Sequence, residues 1–542
     1  MNKNFLRTGI VLILGMFFAA SGPAQDNLRI LMAPSDRYGI FREGETISVW
    51  LEPCREFTSP VFSAMLKSVD SYKIWEKPGK FTQKSERIDL PELSIGWYKL
   101  SVTNESKTIA ERIFIVIPAT TVSENSPIGI MNPYRLDLSR KLGANWLRLP
   151  LDWHKIESEK GKFDWSCEKQ IAEAQKQGMK LIGMIAFCPR WASSEPDRKR
   201  FMIYPPRDPR EYGDFVFNAV SKYKDRIKYW EIWNEPDVPQ FWAGTPEQFG
   251  EVLKAGYLAA KKADPTCQVI FGGLSWADTR LFETVLKAGY GKYFDIMADH
   301  PYSNSAWVYA LKQDSAYRAH LAKNNAVFPY YSTLSRADNI RSLLKKYASE
   351  KPLWATELGA TTGQFWPFIA PTRLSHQEQS WHIFKSVVEA FAAGYRNIIL
   401  YQFTCKKEPD DIENFGIFEH DLVPRPSAVT YAVLVDRLQH LKHAEKLLPK
   451  PVAGINGDAT PMNIFSLELN DGTIFYAAWC NDAQGTEAAF QTTGDRLLLT
   501  DAGGTATQVK CPEGHGKLNL TPRPCFILSS DRKKIVFSIP EK

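Results

Sequence analysis

Two glutamates stand where an apolar stretch ends. Glu235 closes Lys228-Tyr229-Trp230-Glu231-Ile232-Trp233-Asn234-Glu235-Pro236-Asp237, and Glu357 lies in Leu353-Trp354-Ala355-Thr356-Glu357-Leu358-Gly359. Each stretch reads as a short buried strand that presents a carboxyl group at its end. Breaking an acetal C–O bond needs such a pair: one protonated carboxyl gives the leaving oxygen a proton, and one ionised carboxylate attacks or activates water. Either glutamate alone could equally cap a helix or pair with an arginine, so the chemistry rests on their occurring together. Neither H-E-x-x-H nor G-x-S-x-G occurs in the chain, which argues against a zinc hydrolase or a serine esterase.

The pair needs a scaffold that gathers strand ends. From residue 121 to 442 the sequence alternates between short apolar runs and amphipathic segments. Eight strands are expected, at Ile128–Met131, Trp146–Leu149, Leu181–Ala186, Tyr229–Trp233, Val269–Phe271, Ile296–Ala298, Leu353–Ala355 and Ile398–Tyr401. Thr245-Pro246-Glu247-Gln248 and Ser375-His376-Gln377-Glu378 carry the hydroxyl and the N3 side chain of a capping box, which predicts a helix start at each. Gly143, Gly178, Gly289 and Gly394 each follow a last apolar-periodic residue and predict helix stops. Eight such units predict a (β/α)8 barrel, whose strand C-termini build the site. A doubly wound open sheet would want a Gly-rich phosphate turn after its first strand, and none is present. Glu235 then ends strand four and Glu357 ends strand seven, facing each other across the mouth.

Other polar and aromatic residues fall at the same strand ends. Trp153 and His154 follow strand two, Trp191 follows strand three, Trp366 follows strand seven, and Gln402 and Phe403 close strand eight. They are candidates to line sugar subsites, since aromatic faces pack against the C–H faces of sugar rings, or to be core. The long insert from His300 to Thr333, with Trp307, Tyr309, Tyr317, Tyr330 and Tyr331, is expected to form a wall of the cleft.

The flanks read differently. Residues 25–120 and 443–542 hold short strands separated by turn residues, and predict an N-terminal and a C-terminal β-sandwich domain. At the start, Lys3 and Arg7 precede the apolar run Ile10–Ala20 and then Gly22-Pro23-Ala24, so residues 1–24 are expected to be a cleaved export signal and the mature chain periplasmic or extracellular. No later stretch is apolar and long enough to predict a membrane span.

With 542 residues and 44% hydrophobic content the chain has material for a large core and two or three domains. The net charge of +6 comes from bases scattered among acids, which gives no reason to expect a nucleic-acid partner. Eight cysteines lack metal-ligand spacing, so neither a metal nor another cofactor is expected, and buried free thiols are favoured over bridges. The carbohydrate-like chemistry of the pair agrees with 16 Trp and 13% aromatic residues, and the oligomeric state is left open.

The motifs also carry a family resemblance. Trp233-Asn234-Glu235-Pro236 and Thr356-Glu357-Leu358-Gly359 resemble the acid/base and nucleophile motifs of the clan A glycoside hydrolases, the retaining "four-seven" barrels. Leu147-Arg148-Leu149-Pro150, Pro189-Arg190-Trp191-Ala192, Asp299-His300-Pro301-Tyr302 and Phe415-Gly416-Ile417 look most like family 39, which includes β-xylosidases, α-iduronidase and bacterial exopolysaccharide hydrolases. The resemblance covers the barrel. It implies Glu235 as general acid/base, Glu357 as nucleophile, Asn234 on the sugar 2-hydroxyl, Arg148 beside Glu357, and Tyr302 or His300 donating a hydrogen bond to the nucleophile. It departs from the clan at strand eight, where Tyr-Gln-Phe-Thr stands in place of a common Trp. A transglycosylase would use the same residues, and a carbohydrate-binding protein on an inactive barrel is the alternative of a different class.

Overall fold

A computed structural model describes residues 28–538 apart from 55–56, 58, 83–84, 276–278, 303–331, 364–373, 408–413 and 449–461. The expected leader, Trp366 and Trp307, Tyr309, Tyr317, Tyr330 and Tyr331 of the insert therefore lie outside the described residues.

The centre is a closed barrel of eight parallel strands: Ile128–Met131, Trp146–Asp152, Lys180–Ala186, Tyr229–Ile232, Gln268–Leu274, Ile296–Asp299, Leu353–Leu358 and Tyr395–Leu400, the last pairing back onto the first. All eight expected strands are present, several extended by one to three residues at an end. The two capping boxes form, with Thr245 and Ser375 each accepting from the N3 backbone N–H, so helices Pro246–Ala263 and His376–Ala392 start where the sequence signals them. Gly143, Gly178, Gly289 and Gly394 all take positive φ, the left-handed conformation that lets a chain leave a helix without a Cβ clash.

Alternation along the strands decides what fills the barrel. Trp146, Tyr229 and Trp354 point inward near the strand starts and meet at ring-centroid separations of 5.0–5.3 Å, edge-on or tilted. They form an aromatic stopper at the base, packed with Ile182, Ile270, Ile296 and Ile399. One inward position further along, the same alternation brings in Arg148, Glu231 and Thr356, and then His300 just past the end of strand six. The barrel thus changes from aromatic to charged along its axis.

On the N-terminal side, a three-stranded sheet (Leu28–Met32, Ser48–Pro53, Glu86–Asp89) packs on a five-stranded one that includes Val61–Ser68, Gly96–Asn104 and Lys107–Ile117. On the C-terminal side, a six-stranded sheet opens with Leu441–Leu448, directly after helix Pro426–Leu438, and faces a three-stranded sheet. One face of the six-stranded sheet joins the barrel's own core through Phe465, Phe475, Trp479 and Phe526. The modules are also knotted by Asp70, whose carboxylate accepts from Gln377 of the barrel (2.8 Å) and Arg523 of the C-terminal domain (3.0 Å). All eight cysteines are free. Among the described residues no helix is long and apolar enough to cross a membrane.

Candidate active site

Barrel strand four ends in a tight kink. Trp233 and Glu235 both take positive φ (71° and 44°), a costly conformation for residues with a Cβ and one that clusters at functional sites. The surroundings hold it: Trp233 N–H donates to Ile185 O (2.8 Å), Glu235 N–H to Gly273 O (3.1 Å), and the buried Trp233 indole to Phe241 O (2.9 Å). The kink sets Asn234 and Glu235 at the rim, 7% and 8% exposed. Glu357, also 8% exposed, stands at the end of strand seven.

Arg148 is fully buried beneath them and makes three directed contacts. Its Nε donates to Glu231 Oε2 (2.5 Å), Nη1 to Glu357 Oε1 (2.6 Å) and Nη2 to Asn234 Oδ1 (2.8 Å). Burial alone would discourage its charge, but the Glu231 and Glu357 carboxylates more than offset this and hold it firmly protonated. The expected neighbourhood of Arg148 and Glu357 is therefore present. With its carbonyl accepting from Arg148, Asn234 keeps its NH2 to offer as a donor into the cleft.

Of the two candidates for orienting Glu357, the phenol makes the bond: Tyr302 OH donates to Glu357 Oε2 at 2.6 Å. His300 goes elsewhere, with Nδ1 2.7 Å from Glu235 Oε1 and 3.7 Å from Glu357 Oε2. Its hydrogen bond goes to the first glutamate rather than to the second. Burial pushes the Glu357 carboxyl up, but His300, Arg148 and Tyr302 together bring it below the usual carboxylate range. Burial beside Glu357 likewise drives the Tyr302 phenol far up, so it stays a donor. Asp237, two residues past Glu235, is pushed well up by burial and holds the Ser275 N–H at 3.0 Å.

The sequence reading missed Glu231, Thr356 and Gly273. Glu231 Oε1 accepts from Gly273 N–H (3.0 Å) and from Thr356 Oγ1 (2.9 Å), and Thr356 Oγ1 lies 3.1 Å from His300 Nε2. A Cβ on Gly273 would collide with the His300 ring, so glycine here makes room for the histidine. A charge inside an apolar strand and a Gly-Gly pair inside another were the available signals.

The subsite candidates divide. Trp153 is wholly enclosed, its indole donating to Glu157 Oε2 (2.8 Å) and its ring stacked on Phe215. It belongs to the layer between barrel and helices and offers no face to a sugar. Trp191 is partly buried, donates to Glu157 O and carries Lys160 over its ring at 5.2 Å. His154 packs near Phe187 and Phe201, and burial lowers its basicity. Gln402 is 3% exposed, with its carbonyl accepting from Asn132 Nδ2 at 2.7 Å. Phe403 is enclosed and stacks on Phe418.

Glu235, His300 and Glu357 each point one oxygen or nitrogen to a common centre, all three atoms within 4.8 Å of one another. Their donor types would suit a divalent cation, but two ligands of a tetrahedral ion at about 2.0–2.1 Å stand roughly 3.3 Å apart. The 2.7 Å between His300 Nδ1 and Glu235 Oε1 is the length of a hydrogen bond, so a shared proton fits better than a metal.

This geometry can be set beside known proteins. A (β/α)8 barrel with flanking β-domains and two glutamates at strands four and seven is an architecture found among glycoside hydrolases. The structure matches that of a family 39 glycoside hydrolase from the gut symbiont Bacteroides cellulosilyticus WH2 over 93% of this chain and 100% of the other, with a TM-score of 0.73 and 19% identity. A family 39 β-xylosidase from Caulobacter crescentus matches more loosely, over 76% of this chain and 97% of that one, at a TM-score of 0.49 and 14% identity. By sequence, a β-xylosidase of Caldicellulosiruptor saccharolyticus is 35% identical over 103 residues, 17% of this chain, and the match spans only 21% of that relative's length. No protein-family model matches the chain. The first of these similarities establishes the fold, and the resemblance to glycoside hydrolases noted from the motifs is found again in both sequence and structure.

Proposed function

We propose that the protein is a retaining glycoside hydrolase that cleaves O-glycosidic bonds of an oligo- or polysaccharide by double displacement, and that it is exported through the leader of residues 1–24. One observation carries the reading: two carboxyl groups at the barrel mouth have oxygens within 4.8 Å of each other and opposite surroundings. Retaining enzymes hold their carboxyl groups about 5–5.5 Å apart, a spacing with which so near an approach of two oxygens is consistent, whereas inverting ones need about 6.5–9.5 Å to admit a water.

The surroundings divide the roles. Glu357, bound by Arg148 and Tyr302 and held ionised, is the nucleophile. It attacks the anomeric carbon as the glycosidic C–O bond breaks, and Glu235 gives its proton to the departing oxygen. The glycosyl ester on Glu357 is then released by water, whose proton returns to Glu235, so the sugar leaves with net retention. The free NH2 of Asn234 donates to the 2-hydroxyl oxygen, a contact that tightens in the oxocarbenium-like transition state.

The test is turnover of aryl glycosides with Glu357→Gln as control, followed by NMR of the first-formed anomer. β-Xylosides come first in the panel, because the sequence relative is a β-xylosidase. Equal rates for wild type and Glu357→Gln would remove Glu357 from its role, and an inverted first product would remove double displacement. Product analysis with and without added acceptor separates hydrolysis from transglycosylation.

A further inference from the structure

The hydrogen-bond ring around His300 fixes where its protons are. Glu231 is a carboxylate paired to Arg148, so the hydroxyl of Thr356 must donate to it. That hydroxyl has one hydrogen. Thr356 Oγ1 can therefore only accept from His300, and His300 Nε2 carries a hydrogen. Nδ1 is left facing Glu235 Oε1 at 2.7 Å and Glu357 Oε2 at 3.7 Å.

Charge counting then says how many protons the His300–Glu235 pair holds. The groups around it are Arg148 from strand two, Glu231 within strand four, Asp237 after it, Tyr302 after strand six, Glu357 from strand seven and Tyr401 after strand eight, with Arg336 and Asp299 behind them as an ion pair that adds no net charge. The phenols are neutral, and desolvation pushes the partly buried Asp237 carboxyl well up. Arg148 cancels one of the two carboxylates Glu231 and Glu357. In a pocket this enclosed, the remaining negative charge is costly unless the pair supplies a positive one. The pair does so when His300 is an imidazolium and Glu235 a protonated acid.

We propose that His300 remains an imidazolium throughout turnover, as the common counter-ion of the two carboxyl groups, and that its Nδ1–H, by donating to Glu235 Oε1, leaves the acid proton on Oε2. This rests on the double-displacement reading above. It gives the first displacement constant charge: Glu357 loses its negative charge as its oxygen bonds the anomeric carbon, and Glu235 gains one as its Oε2 proton goes to the leaving oxygen. The negative charge moves from one side of His300 to the other, and no proton need enter or leave the pocket. Burial disfavours the cation, but the Glu357 carboxylate, with the hydrogen bond to Glu235, outweighs it and raises the basicity of His300. His300 is a positioning residue here, acting through Glu235.

The experiment is 15N NMR of protein labelled at its nine histidines, with His300 identified by the signal lost in His300→Gln. Spectra are taken at pH 8, in the resting protein and after trapping Glu357 with a 2-deoxy-2-fluoro glycoside. The expected result is imidazolium shifts at both ring nitrogens of His300 in both states. A neutral Nε2–H tautomer in either state overturns the proposal. Should His300→Gln not fold, the wild-type spectrum still decides, because one histidine must stay charged well above the ordinary value of about 6.5. If the fluoro sugar does not label Glu357, it is the proposed function that fails, while the resting spectrum still tests the imidazolium.

Kinetics supply a second readout. His300→Gln keeps a donor but removes the charge, so kcat/KM should fall about 10²-fold for a sugar leaving group, within the range general-acid assistance contributes. For a dinitrophenyl leaving group, which needs no proton, the fall should be under about tenfold. The alkaline limb should move to higher pH, since an acid without a neighbouring cation gives up its proton less readily. An unmoved limb with equal losses on both substrates would show a merely structural contact.

Discussion

Glu231 and Glu357 share a single guanidinium: Arg148 gives Nε to the first at 2.5 Å and Nη1 to the second at 2.6 Å. The carboxylate inside strand four thereby orients the cation that keeps the carboxylate of strand seven ionised. Three differently directed N–H groups are in use, and a lysine ammonium cannot reproduce that fork.

Arg148→Lys should therefore retain the charge and lose the alignment. Loss of Glu357 ionisation moves the acid limb of kcat/KM to higher pH, because the proposed nucleophile, whose pKa was held down, is released upward. Its rate should fall at least ~10²-fold through misplacement of the nucleophile. Stability should fall by about 1–3 kcal/mol through the unmet acceptors, read by urea unfolding.

Glu231→Gln should shift the same limb the other way. It leaves the whole of Arg148's charge to Glu357, which becomes still easier to ionise and a poorer nucleophile. A pH–rate profile of the two variants side by side checks this, and a shift in the same direction would show that Glu231 and Glu357 do not compete for Arg148.

Gly273→Ala places a methyl group where the His300 ring stands. Strand packing prevents relief by the backbone, so the ring must move away from Glu235. Overpacking of this kind costs about 1–3 kcal/mol, and the His300 nitrogen shifts should change with it. An unchanged His300 spectrum would mean that the ring does not depend on this glycine.

Lys385 is 3% exposed, and burial pushes its ammonium down to about 8 despite the nearby Glu389. An unfolded lysine titrates near 10.4, so between about pH 8 and 10.4 the unfolded chain binds more protons than the folded one. The contribution of Lys385 to stability then rises with pH across that window, by roughly 3 kcal/mol at about 1.4 kcal/mol per unit. Lys385→Met should lack this component, so the difference in unfolding free energy between the two proteins should vary across the window and be flat below it.

The barrel was legible because its strands are apolar runs punctuated by glycine stops and two full capping boxes, each a local signal. Glu235 and Glu357 were legible because they sit at the ends of such runs. Glu231 was not, since a single acid within Trp230-Glu231-Ile232 looks like a surface position until the barrel closes and its inward side becomes the floor of the site. Trp153 was misplaced for a related reason. It follows strand two as a rim residue would, yet the short helix Trp153–Ile156 begins there and turns the ring toward Phe215 and Tyr212. The assignment of His300 to Glu235 depends on distances of about an ångström, which no spacing in the chain encodes.

The stopper of Trp146, Tyr229 and Trp354 has a kinetic meaning. It closes the barrel at its base, so in the proposed reaction substrate, water and products all reach the two glutamates from the strand-end side. The released aglycone must clear the mouth before water can take its place over the ester, and a second sugar waiting on that side competes with that water. Slow departure of the first product would therefore appear as a pause in the covalent state.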